Sequence, residues 1–258
     1  MHKFLFTLLM ILLTDGLPAA NLAQEQRISE RLITPDRVGE AQWLSAGDVR
    51  FLTLFTKSDA DRRLGRAILL HDAGDNADGA YVIGPLRRYL TARGWDTLSL
   101  QLPRSTERLT KSGRDELTSL AAERLRAAVT FFNTQGSGPL VLVGHGLGAQ
   151  MALAYTTTGP TEDIRALVAI GLAAAEGSET DPVIQGIAGL QLPMLDLYGD
   201  RDRSEVLATA QARHAAAKRN QRKDYRQDRV TGADHHFSGL QESLQQRVAS
   251  WLRRVAGD

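Results

Sequence analysis

The chain has 258 residues, enough for one α/β domain with a sizeable core. Its 43% hydrophobic and 24% charged content excludes a disordered chain and a multi-span membrane protein, and 31 basic against 30 acidic residues call for no nucleic acid or anionic surface. There is no cysteine, which excludes disulfides, a thiolate metal site, a thiol nucleophile and a lipidated amino-terminal cysteine.

Met1 to about Ala23 reads as a secretory signal. His2 and Lys3 form a short basic end, and Phe4 to Leu13 is an apolar run too short to span a bilayer. Ala19, Ala20 and Ala23 are the small residues a signal peptidase needs, so cleavage is expected before residue 25. The alternative is a retained anchor. Export from a diderm bacterium would make the mature protein periplasmic, with residues 24–258 as one domain and no membrane span.

Residues 24–37 are polar with Ile28, Leu32 and Ile33, the pattern of a short helix. Gln42 to Leu44 and Val49 to Phe55 read as a hairpin about Ala46-Gly47-Asp48. Ala67 to Leu70 is a strand ending in His71-Asp72-Ala73-Gly74. Tyr81 to Arg93 is amphipathic and helical, with Gly94 as its C-cap. Trp95 to Leu102 is the next strand, residues 105–112 a charged loop, and Arg114 to Asn133 a long helix. Leu140 to Val143 is a buried strand, followed by Gly144-His145-Gly146-Leu147-Gly148 and a helix of small and apolar residues. Ile164 to Ile170 is apolar and extended, and residues 173–191 hold no more than one helix. Leu192 to Tyr198 is a strand ending Gly199-Asp200-Arg201-Asp202, and Val206 to Arg219 a helix. Tyr225 to Val230 reads as an edge strand before Gly232-Ala233-Asp234-His235-His236, and Leu240 to Val255 is the last helix. Alternating strands and helices predict a mainly parallel, doubly wound sheet with the hairpin adding antiparallel strands at one edge.

Strand, glycine turn and helix around residues 139–155 are the context of the nucleophile elbow, G-x-S-x-G, with glycine at its centre. With H-D-A-G, G-D-R-D and G-A-D-H in the right order, nearly the whole mature chain resembles an α/β-hydrolase without a large lid. The runs V-I-G-P-L-R-R-Y-L, G-W-D-T-L-S-L-Q-L-P and L-V-G-H-G-L-G-A resemble a proteobacterial family of exported α/β-hydrolase-like proteins of unknown function. The superfamily resemblance implies a nucleophile position at Gly146, an acid at Asp202 and a histidine at His235, with His236 and Asp200 as alternatives one register away. It assigns one oxyanion N–H to Leu147 and another to the His71, Asp72, Ala73, Gly74 loop. Histidine would take a serine proton and the carboxylate would fix its tautomer. Glycine has no oxygen to attack with, so no acyl-enzyme can form there. It also fits a turn of positive φ, where a Cβ is costly. His145 reads as a packing residue.

Gly144-x-Gly146-x-x-Ala149 matches a dinucleotide fingerprint, but the acidic residue expected at the end of the next strand is missing from Ala169-Ile170-Gly171-Leu172. Asp72, Asp75 and Asp78 miss calcium-loop spacing and read as a solvated acidic loop. Residues 218–229 are basic but broken by acids, which reads as a solvated helix end. No metal or cofactor is expected. The expectation is a non-catalytic protein that binds a small molecule or an envelope protein. The alternative is a serine-independent hydrolase of ester or acyl substrates in which His235, oriented by Asp202, activates water. Nucleotide binding is the remaining reading.

Overall fold

The computed structural model describes residues 21–34, 39–104, 110–159, 162–219 and 224–256. Helix α1 (Leu22–Leu32) leads into the hairpin β1 (Glu40–Ala46) and β2 (Val49–Thr56). Then follow β3 (Gly65–Leu70), α2 (Ile83–Thr91), β4 (Trp95–Leu100), α3 (Lys111–Gln135), β5 (Leu140–His145) and α4 (Leu147–Thr158). The chain continues through β6 (Ile164–Ile170), α5 (Pro182–Gly189), β7 (Met194–Arg201), α6 (Ser204–Arg219), β8 (Tyr225–Asp234) and α7 (Gln241–Ala256).

These strands form one sheet in the order β1-β2-β4-β3-β5-β6-β7-β8. The β1–β2 and β2–β4 pairs are antiparallel and the rest are parallel, as the hairpin and the alternating pattern predict. The central strands β3, β5 and β6 are apolar on both faces because helices cover both. Ile68, Leu70, Leu140 and Leu142 pack with α3, α4 and α5, while Ala67, Leu69, Val141 and Val143 pack with α2 and α7. The parallel strands bring the chain ends after β3, β5, β6, β7 and β8 to one edge, where a doubly wound sheet places its ligands.

Several boundaries differ from the sequence expectation for local reasons. Helix α1 starts at Leu22, because the Asn21 side chain accepts the Gln24 N–H and caps it. It thus takes in two residues assigned to the leader, whose first twenty lie outside the described residues. Helix α3 starts at Lys111, inside the segment read as a charged loop, since the Thr110 hydroxyl accepts the Gly113 N–H; residues 105–109 of that loop lie outside the description. Helix α2 ends at Thr91 with Ala92 as its cap, and Gly94, at φ 95°, shapes the following turn instead. The segment expected to hold one helix holds α5, and among the described residues no large lid stands over the sheet edge.

Two buried ion pairs tie outlying elements to this frame. Glu25 of α1 receives a bidentate bond from Arg124 of α3, at 2.6 and 3.0 Å, and Arg124 also reaches the Gln101 carbonyl. Arg213 of α6 and Asp196 of β7, both fully buried, bond at 2.8 Å; Tyr225 and Gln227 of β8 donate to the same carboxylate. The second cluster locks together the three elements that carry Asp202 and His235. Removing one partner of a buried pair leaves an uncompensated charge. Glu25→Ala should therefore lower the unfolding free energy by about 3 kcal/mol, read as a drop in the urea midpoint at unchanged slope.

Candidate functional site

The site is built where β5 turns sharply into α4. Gly146 sits at φ 53° and ψ −116°, the positive φ that the elbow reading expects. Its N–H donates to the Ile170 carbonyl at the end of β6, which holds the turn against the sheet. Gly144 and Gly148 let the backbone of α4 approach β5 and β3 closely, for a Cβ at either would meet main-chain atoms.

Asp202 follows β7 and His235 follows β8. His235 Nδ1 lies 2.6 Å from Asp202 Oδ1, so of the alternative registers it is Asp202 and His235 that pair. Asp200 instead accepts the Gly232 N–H and shapes the β8 strand end. The His236 ring packs at 5.3 Å from that of His235 and 5.4 Å from Tyr81. Phe237 takes φ 53°, a rare conformation for a side chain with a Cβ, and is held there by complete burial of its ring. His145, also fully buried, lies with Nε2 at 2.9 Å from the His235 carbonyl and stacks on its ring at 4.5 Å. Burial and the neighbouring His235 push His145 down to about 4, so it stays neutral and donates that bond. It packs, as expected, and what it packs is the residue that faces the elbow.

The loop after β3 brings a side chain into the site. The Asp72 side chain lies over Gly146, where a Cβ on the glycine would overlap Asp72 Oδ1. That oxygen accepts the Leu147 N–H at 2.7 Å. The other oxygen faces His235 Nε2 at 3.1 Å and Arg203 at 3.0 Å. The carboxylate thus occupies the space into which a side chain at position 146 would project, and takes up the first N–H of α4. The reading of Asp72, Asp75 and Asp78 as a solvated acidic loop is incorrect. Asp72 is only 2% exposed, and Asp78 is ion-paired to Arg87 and Arg88 of α2. Ala73 and Gly74 remain exposed on the rim. His71 is buried; its Nδ1–H donates to the Asp72 carbonyl and its Nε2 accepts the Leu102 N–H. Burial holds His71 near 4, consistent with that neutral tautomer.

Two contributors escaped the sequence reading. Arg203 stands next to Asp202, and nothing in G-D-R-D-R distinguishes it from a surface cation. Gly171, at φ 58°, leaves room for the His235 ring, since a Cβ there would press on Cε1. Its one sequence signal was the glycine directly after an apolar strand.

Both ring nitrogens of His235 face carboxylates, which favours the doubly protonated ring. Burial acts against the charge, but the bonds to Asp202 and Asp72 outweigh it and raise His235 to about 9. Burial would raise Asp72 and Asp202, yet their bonds to His235 hold both below the ordinary carboxylate value. Asp72, His145 and His235 also bring one ligand atom each within 4.8 Å of one another. They suit a metal ion poorly, because the Arg203 guanidinium already abuts the carboxylate and would repel a cation.

The pH dependence follows from these shifts. A histidine raised from 6.5 to about 9 contributes stability that is complete below 6.5 and lost as pH rises through about 9. The unfolding free energy should fall on the order of 3 kcal/mol across that window, and His235→Gln should flatten the slope. Calorimetric melting across the alkaline range checks both. The depressed carboxylates contribute stability above the ordinary aspartate value of 3.8 that is lost as pH falls.

Comparison with known proteins agrees with this architecture. Est1E from Butyrivibrio proteoclasticus superposes with a TM-score of 0.65 at 13% identity, covering 83% of this chain and 98% of its own. An α/β serine hydrolase without a lid from Xanthomonas campestris gives 0.64 at 18% identity, covering 88% and 98%. A dienelactone hydrolase from Anabaena variabilis gives 0.65 at 18% identity, covering 84% and 97%. At such identities the likeness speaks for the fold alone. No curated protein matches the sequence. The family described as Protein of unknown function (DUF3530) matches residues 14–119 and 108–254, and the chain, an α/β-hydrolase fold with a glycine at its elbow, belongs to that family.

Proposed function

We propose that this chain is an exported α/β-hydrolase-fold protein that carries out no covalent acyl transfer and acts as a ligand- or partner-binding protein of the cell envelope. The observation that carries this reading is the Asp72 carboxylate lying over Gly146 and bonded to the Leu147 N–H. An acyl-transfer site needs an oxygen nucleophile, a free oxyanion donor and a histidine with a lone pair toward the nucleophile. Gly146 removes the first. Asp72 takes the second and turns the third into a donor by presenting negative charge to Nε2. The water-activating alternative also needs that lone pair, so the same contact weighs against it. Nucleotide binding lacks the acidic residue that would hold a ribose, since β6 ends in Ala169-Ile170 and is followed by Gly171-Leu172.

Labelling by a fluorophosphonate probe tests the reading. The unsubstituted protein should remain unlabelled and inert toward a panel of simple esters. Gly146→Ser should label more slowly than the double variant, because the Asp72 side chain that its Cβ displaces still competes for the Leu147 N–H and His235, and it should lose roughly 1–3 kcal/mol of stability to backbone strain. The double variant Gly146→Ser with Asp72→Ala should acquire labelling at residue 146, and adding His235→Ala should abolish it. Stoichiometric labelling or ester turnover by the unsubstituted protein overturns the reading.

Export has its own test. Asn21 caps α1 and donates its N–H to the Arg104 carbonyl, and Glu25 pairs with Arg124. A mature chain that keeps these contacts begins no later than Asn21. Mass spectrometry of the amino-terminal peptide recovered from the native envelope should find a start at or just before that residue. An intact Met1 would rule out cleavage.

A further inference from the structure

We propose that the elbow is a receptor site for a short-chain carboxylate, with Asp72 as the internal occupant that the ligand displaces. This rests on the non-catalytic binding reading and names the ligand class for it. The donors that hold the Asp72 carboxylate come from three separate parts of the chain: the Leu147 N–H at the start of α4, His235 after β8 and Arg203 before α6. None belongs to the loop that carries Asp72. Two of the three are fixed by contacts of their own: the elbow by the Gly146 bond to Ile170, and His235 by Asp202 and His145. The main-chain donor and the imidazole therefore remain in place when Asp72 leaves, and the Arg203 side chain pairs with whichever carboxylate stands there.

Its chemistry fits one planar monoanion. One oxygen meets a main-chain donor, and the other meets the imidazolium and the guanidinium. His235 and Arg203 supply two positive charges and Asp202 one negative, which leaves one unit for the ligand to neutralise. A dianionic phosphate would overcharge the site. Beside the carboxylate lies a recess of about 90 Å³, lined on its apolar side by Leu102, Leu117, Leu147 and Met151. That is about three times the ~30 Å³ that one water occupies in the liquid, room for a tail of a few carbons. Departure of Asp72 needs only rotation of its side chain, since the His71 bond to its carbonyl keeps the backbone in place. The Arg203 side chain is 42% exposed, so the cradle meets solvent at that corner.

The test titrates the full mature chain with sodium propionate at constant ionic strength, following the His235 ring resonances by NMR together with the melting temperature. Propionamide and inorganic phosphate are the comparison ligands. The unsubstituted protein should show a saturable His235 shift with propionate alone. Asp72→Ala should bind propionate at least tenfold more tightly and regain melting temperature on binding. Asp72→Asn, which keeps the side-chain volume, should also bind more tightly than the unsubstituted protein and serves if the alanine variant does not fold. Absence of a saturable shift in a folded Asp72 variant overturns the proposal. So does saturation in the variants alone, which would make Asp72 a permanent filling, and so does equal binding of phosphate, which would make the site an unselective anion hole. Ester turnover would sink the non-catalytic reading while leaving the propionate titration to be judged by itself.

Discussion

A carboxylate taken out of water needs partners, and Asp72 has three. Burial at 2% exposure would drive its proton on; the Leu147 N–H, His235 and Arg203 hold it off. This contact joins the ends of β3, β5, β7 and β8 across the sheet edge. It also sets the charge on His235, and that charge decides what the histidine can do. An imidazole between a carboxylate and a serine takes a proton; between two carboxylates it keeps one.

Gly146 makes this arrangement possible twice over. Its positive φ costs nothing without a Cβ, so the turn from β5 into α4 is unstrained. The space that a side chain would fill is then open to Asp72. Glycine at the elbow and aspartate in the loop after β3 are therefore one change in packing terms. A serine at 146 needs Asp72 elsewhere, and with glycine there Asp72 has a seat.

The surroundings treat this edge as a structure to be kept. The Arg213–Asp196 cluster fixes β7, α6 and β8 to one another, His145 anchors the His235 carbonyl, and a non-glycine residue, Phe237, accepts a left-handed backbone beside it. Each feature costs desolvation or strain that a plain loop would avoid. Together they hold His235 between Asp202 and Asp72 at the sheet edge.

Much of this was legible in the residues themselves. Apolar runs of strand length alternating with amphipathic helices determined a doubly wound sheet, because each pattern can bury its apolar face in only one way. G-H-G-L-G after an apolar strand determined a sharp strand-to-helix turn with glycine at its centre. The loop motifs brought Asp202 and His235 to the same edge, because parallel strands put their ends there. What only the tertiary structure decided is where the Asp72 side chain goes. H-D-A-G marks a loop, and a solvated aspartate and one lying over Gly146 are spelled alike. The contacts that choose between them join residues 75 and 163 positions apart and depend on the room a missing Cβ leaves. Arg203 and Gly171 were hidden for the same reason: one acts through a single long-range bond and the other through space it leaves empty, and neither leaves a periodic trace in the sequence.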